Sequence, residues 1–187
     1  HNQLNFINDG FVQECKDYRD ILKEWFRERH ELYRKRIERL TILTRLRIMI
    51  IKEIIKFVSN YNKYKFGSMD EKKAIAILTG DKYIKCNKPL LDNPEFTPVE
   101  QLRELILIKN ASYNYLLNVG PRQCLKSARD KRNAKLKELE KELKELEDPK
   151  TLQKIWLEEL EELKTLLTRV NASPRGWLMN ERKMRFK

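Results

Sequence analysis

From Tyr18 to Val58 no glycine or proline interrupts the chain, and apolar residues recur at Phe26, Tyr33, Ile37, Leu40, Ile48, Ile51, Ile55 and Val58. These three- and four-residue steps predict a single helix, about 60 Å long at 1.5 Å per residue. Before Leu40 the apolar stripe is narrow and the rest of the circumference is charged, as on a rod in solvent. Beyond it Ile42, Leu43, Leu46, Met49, Ile50, Ile54 and Phe57 widen the stripe almost to the full circumference. A helix apolar on most sides must be buried, so its far half is expected to be embedded in a globular body.

The pattern then shifts to short elements. Ser68 to Glu71 reads as a capping box opening MDEKKAIAILT, with Gly80 placed to end that helix. Thr97 to Glu100 is a second box, with Pro98 at the first helical position of PVEQLRELILIK, while KCNKPLLDNPEF between them reads as a loop. NASYNYLLNVGP gives a short apolar helix or turn closed by Gly120 and Pro121. From about Ser127 a second long helix begins, with Leu136, Leu139, Leu143 and Leu146 in a heptad pattern preceded by Leu125. So few heptads do not sustain an autonomous coiled coil, which makes the helix ending at Val58 the expected partner. Asp148 and Pro149 then break and restart the helix, and Ile155, Trp156, Leu160, Leu163, Leu167 and Val170 renew the stripe.

These elements predict an all-α fold, a long antiparallel two-helix arm with a small helical globular domain at its tip. The expected divisions are a lead-in over 1–17, an ascending helix over 18–58, a head over 59–124, a descending helix over 125–170 broken at Pro149, and a tail over 171–187. Asp148 and Pro149 are the expected hinge.

Composition sharpens this picture. Charged residues make up 36% of the chain and the net charge is +12. The basic excess is +6 over residues 18–58 and +4 over 171–187, but only +1 over 124–170. Such a balance suits a polyanion, nucleic acid above all, or a solvated helix face; both readings stay open for the densest run, RERHELYRKRIERL. No apolar run approaches the roughly 18 residues of a membrane span. Cys15, Cys86 and Cys124 are odd in number and lack Cys-x-x-Cys spacing, which points to reduced thiols in an intracellular protein. With neither an initiator methionine nor a signal peptide, the sequence is expected to be part of a longer protein, with part of a function. The candidate chemistry is sparse. His30 sits on a charged helix face, and no glycine-rich phosphate loop or carboxylate cluster with metal spacing occurs, so no catalytic or metal residue is expected. Tyr113, Tyr115, Leu116, Leu117 and Val119 are a different signal, because tyrosines among leucines suit either core or a protein interface.

The order of motifs resembles a known family. Ile21, Leu22, Phe26, Arg29, Tyr33, Arg36 and Leu40 are similar to the first arm helix of the type IIA DNA topoisomerases, eukaryotic and viral. Tyr115 to Val119 is similar to the Tyr-Leu-Leu-x-Met segment of their C-terminal gate, and Pro149, Leu152, Trp156, Glu158, Glu159 and Leu160 to the restart of the returning helix. The chain departs from the pattern at His30, at Gln153 to Ile155, at GPRQCL and across KCNKPLLDNPEF. The resemblance implies a coiled-coil arm and exit gate. Two copies would pair as a homodimer through the head at Tyr113, Tyr115, Leu116, Leu117 and Val119, with Arg27, Arg29, Arg34, Lys35, Arg36 and Arg39 near duplex DNA, bound without sequence preference. It also implies that the Arg-Tyr nucleophile, Mg2+ and ATP belong to other parts of the parent enzyme; none of the seven tyrosines here follows an arginine. A viral member would work in the host cytoplasm or nucleus. Two competitors are the hinge of a chromosome-organising ATPase, which is glycine-rich and mixed α/β, and a basic helical-hairpin arm that binds nucleic acid without dimerising. The head region contains only Gly67, Gly80 and Gly120, which speaks against the hinge.

Overall fold

The computed structural model of the protein describes residues 4–8, 11–64, 69–94 and 98–171. Among these, eight α-helices and one β-hairpin give an all-α architecture. The chain forms two compact units, residues 1–147 and 148–187.

The first unit opens with a hairpin that the helical pattern did not anticipate. β1 (Leu4–Asn8) pairs antiparallel with β2 (Phe11–Cys15), Leu4 opposite Cys15 and Asn8 opposite Phe11. Helix α1 (Tyr18–Ser59) follows at once, 42 residues long. Its N-terminus is fixed by Asp17, whose carboxylate accepts from the backbone N–H groups of Arg19 and Asp20 at 2.8 and 3.2 Å, satisfying donors that the first turn leaves without helical partners.

The head combines α2 (Tyr61–Tyr64), α3 (Glu71–Gly80), α4 (Lys88–Asp92), α5 (Leu102–Leu107), α6 (Asn114–Leu117) and a 3-10 turn at Pro121–Cys124. Its core is continuous with the distal half of α1. Leu43, Leu46, Ile50 and Phe57 share one buried cluster with Leu78, Leu102, Ile106 and Leu116. The spine of the head is therefore the end of the long helix, where the apolar stripe is widest.

Three local readings need correction. The stretch read as a loop contains α4, capped by the Asn87 side chain, which accepts from Leu90 N at 3.3 Å. Helix α3 begins at Glu71, with Asp70 at the N-cap position but no side-chain capping bond, and α5 begins only at Leu102, after turns at Pro98 to Gln101. The capping residues expected there, Ser68 and Thr97, lie outside the described residues, as does the tail from residue 172. Gly80 is the last residue of α3, and the left-handed position after that helix belongs to Lys82, with φ of 57°.

Helix α7 (Lys126–Glu147) returns antiparallel to α1. Arg45 pairs with Glu147 at 2.7 Å and Lys52 with Glu140 at 2.9 Å, so numbers rise along one helix as they fall along the other. Between them the buried Thr44 hydroxyl donates to Glu142 at 3.4 Å. Leu139 is buried, with Leu136, Leu143 and Leu146 half-buried along the same face. Because α7 ends opposite Arg45, it accompanies only the distal half of α1.

The second unit is α8 (Thr151–Asn171) with the turn before it. Asp148 Oδ1 accepts from Lys150 N, and the Asp148 carbonyl accepts from Thr151 N, both at 2.9 Å. Asp148 thus caps the restart, with helical structure resuming two residues after Pro149. Trp156 is buried, whereas Leu157, Leu163, Leu166 and Leu167 are at least half exposed.

Candidate interaction surfaces

The five residues expected to meet a partner at the tip are not equally placed. Leu116 is wholly buried, and Tyr113, Tyr115 and Val119 are nearly so, all inside the head's own core. Tyr113 donates its hydroxyl to the Tyr83 carbonyl at 3.2 Å, and Tyr115 donates to the Ile84 carbonyl at 2.6 Å. Burial, with the Glu53 carboxylate nearby, pushes the Tyr115 phenol well above its ordinary pKa. These four side chains pack within the head's own core and leave at most 7% of their surface exposed. Leu117 alone of the five is half-buried, packing on the core and keeping some exposure. A four-residue helix has too little length for its sidedness to be read from periodicity. Apolar exposure elsewhere on the head comes from Ile108, at 71%, with Met69 and Ile75 at 37% and 36%.

The structure adds a polar network that sequence reasoning missed. The Tyr64 hydroxyl donates to Asp81 Oδ2 at 2.6 Å and lies 3.0 Å from the Tyr83 hydroxyl. Lys56 Nζ sits 4.2 Å from the centre of the Tyr83 ring and donates to the Asp81 carbonyl. Desolvation, then the hydrogen bond to Asp81, raises the Tyr64 phenol. Glu53 accepts from Ile84 N at 3.0 Å. Together these contacts tie the turn after α3 to the distal end of α1. The available signal was Glu53, the one carboxylate between Glu38 and Asp70 and set where the apolar stripe of the helix is widest, since a charge there needs a partner. Cys86 exchanges backbone hydrogen bonds with Ser112, and burial pushes its thiol up to about 11. A thiol held neutral in this way is a structural side chain and not a nucleophile.

The basic residues of proximal α1 are largely engaged. Arg27 pairs with Glu24 at 2.8 Å and with Glu28 at 3.6 Å. Arg34 makes a two-pronged contact with Glu31, at 2.9 and 2.7 Å, and reaches Glu38 at 3.7 Å. That hydrogen bonding holds the Glu31 carboxyl below its ordinary pKa. Arg29 lies over the Tyr33 ring at 5.3 Å, Arg39 donates to the Pro94 carbonyl, and Arg36 is also engaged. Lys35 is exposed. Local ion pairs at Arg27 and Arg34 thus offset part of the positive charge of the proximal rod.

His30 is exposed, its ring 6.0 Å from that of Phe26. Among the described residues no three His, Cys, Asp or Glu side chains gather into a potential metal site, and no helix is long and apolar enough to cross a membrane.

No protein-family model matches the chain. Over 168 residues it is 30% identical to DNA topoisomerase 2 from a South African tick isolate of African swine fever virus, an alignment covering 86% of this chain and 14% of that protein. DNA topoisomerase 2 from a Kenyan pig isolate of the virus gives the same identity over 172 residues, with the same coverage. In fold, 96% of the chain matches 24% of a crystal structure of the Plasmodium falciparum topoisomerase II DNA-binding, cleavage and re-ligation domain, with a TM-score of 0.67 and 22% identity. The chain spans about one seventh of the length of its curated relatives, and it is related, in sequence and in fold, to that one segment of the type II DNA topoisomerases.

Proposed function

We propose that the chain is the exit-gate segment of a type II DNA topoisomerase of viral type. Two copies pair head to head and close the cavity from which a transported duplex leaves after strand passage. On this reading the parent enzyme performs DNA cleavage, with Mg2+ and ATP bound outside this segment. Asp148 and Pro149 provide the point at which the returning helices flex.

The observation that carries this reading is the match of most of the chain to a segment of DNA topoisomerase 2. The packing of the head agrees with what a gate needs. A gate must open and reclose, so each head must remain folded without its partner. Here Leu116, Leu102 and Ile106 are fully covered within one chain, and separating two such heads exposes no core. The contact must then be a modest patch of surface residues, as in releasable interfaces. Leu117 and Ile108 are the apolar side chains best placed to form it.

Size-exclusion chromatography with light scattering tests the reading. The parent chain should be a dimer at about 100 μM, a concentration that detects dissociation constants up to the micromolar range. Leu117→Asp or Ile108→Asp should give a monomer with unchanged circular dichroism. A parent chain that stays monomeric sinks the gate, and a monomer that binds structured RNA in a salt-sensitive manner favours the nucleic-acid-binding arm instead.

A further inference from the structure

Helix α7 is electrically divided. Residues 122–137 contain Arg122, Lys126, Arg129, Lys131, Arg132, Lys135 and Lys137 against the single acid Asp130. From Glu138 to Glu147 the balance reverses, with five acids against two lysines. Averaged over the whole returning segment the two halves nearly cancel, which hides the first from any count of net charge.

The structure separates these cations by what they touch. Arg132 is half-buried and donates to the Gln123 carbonyl at 2.6 Å, and Lys135 pairs with Glu138 at 2.9 Å. Arg122, Lys126, Arg129, Lys131 and Lys137 are exposed, and their side chains have no ion pair or hydrogen bond among the described residues. At 100° per residue, Lys126 and Lys137 lie within about 20° of each other around the helix, on the side opposite Leu139, and Lys131 lies about 80° from Leu139. Proximal α1 is the contrast, because Arg27 and Arg34 pair with acids about one turn away, Arg29 lies over the Tyr33 ring and Arg39 donates to the Pro94 carbonyl.

We propose that this head-proximal end of α7 is the surface through which the chain contacts duplex DNA, by its phosphate backbone and without reading sequence. The inference rests on the reading above for the identity of the polyanion. Three features select a duplex. Lys126 to Lys137 span about 16 Å of helix, over which a duplex presents about ten phosphates. The stretch 122–137 has no aromatic residue, whereas single-strand binding relies on rings for stacking. A protein partner would need buried aromatic or apolar anchors at the centre of the patch, where Asp130, Asn133 and Ala134 stand instead.

Fluorescence anisotropy with a labelled duplex of about 20 base pairs and arbitrary sequence, titrated between about 50 and 300 mM salt, tests the surface. The combined variant Arg122→Gln, Lys126→Gln, Lys131→Gln, Lys137→Gln should bind at least about tenfold more weakly, with a salt slope shallower by about 3.6, since each of the four lost phosphate contacts removes about 0.9. The control variant Arg27→Gln, Arg34→Gln, Lys35→Gln, Arg36→Gln should change the slope by less than about 1. All these positions are exposed, so circular dichroism should match the parent. An unchanged slope in the α7 variant overturns the proposal. So does a larger loss in the control, or equal affinity for polyglutamate or a single strand of equal charge. Light scattering on the same samples separates the two readings. Loss of pairing with the α7 effect intact removes the gate and leaves the DNA surface; pairing without the α7 effect does the reverse.

Discussion

Leu116 and Leu117 are neighbours in the chain and opposites in consequence. Leu116 has no exposed surface, so Leu116→Asp places a carboxylate where it can neither ionise cheaply nor find a donor, and should cost more than about 4 kcal/mol in urea unfolding. Leu117→Asp keeps access to water and loses only packing at the edge of the core, so it should cost about 1 to 2 kcal/mol while removing the proposed pairing. Only the second substitution can report on an interface. Cys86 gives a residue-scale test of the same core. Its folded pKa lies above the ordinary 9.0, at about 11, so its contribution to stability is complete below pH 9 and is lost as pH rises through 11. A disulfide reagent at pH 8 should therefore label the half-buried Cys124 quickly and Cys86 only on unfolding; equal rates would mean that the Cys86 to Ser112 pairing opens readily. At this scale the apolar cluster in NYLLNV was legible, but its direction was not, because one turn of helix carries no period. Tyrosine hydroxyls seated on the carbonyls of Tyr83 and Ile84 decide which way the rings face, and such partners leave no local trace in the sequence.

At the scale of elements, the junction of α1 with α7 rests on buried leucines more than on its ion pairs. Leu139→Ala should cost about 2 to 4 kcal/mol, as for other buried leucines. Arg45→Ala should cost less than about 1 kcal/mol, because both Arg45 and Glu147 are at least 40% exposed and solvent screens them. Urea midpoints of the two variants compare the effects directly, and a larger loss for Arg45→Ala would mean that the rod is held electrostatically. The long helices were legible because their periodicity repeats over many turns. Short elements were less so. Asn87 both caps α4 and donates its backbone N–H to Ile106 at 2.7 Å, so that helix depends on a residue far away in the chain. The hairpin of β1 and β2 did have a local signal, the Asp-Gly dipeptide at 9–10 between alternating apolar positions. It was overshadowed by the weight of helical pattern that follows.

For the molecule as a whole, the two proposed contacts differ in physical origin and should respond oppositely to salt. Pairing through Leu117 and Ile108 is driven by loss of apolar surface from water, which added salt does not weaken. Contact between α7 and a duplex is driven by counterion release, and five unpaired cations give a slope steep enough to abolish binding within a few-fold change in salt. Raising salt from about 50 to 500 mM, which shortens the screening length to about 4 Å, should leave the dimer intact while the duplex is released. Sedimentation velocity with labelled DNA follows both in one experiment, the DNA by its own absorbance. A gate built this way can let go of a departing duplex without letting go of its twin, because the forces reside in different residues. Should the dimer dissociate in parallel with the DNA, the heads are held by charge or by the nucleic acid itself, and the apolar patch around Leu117 has no part in closing them.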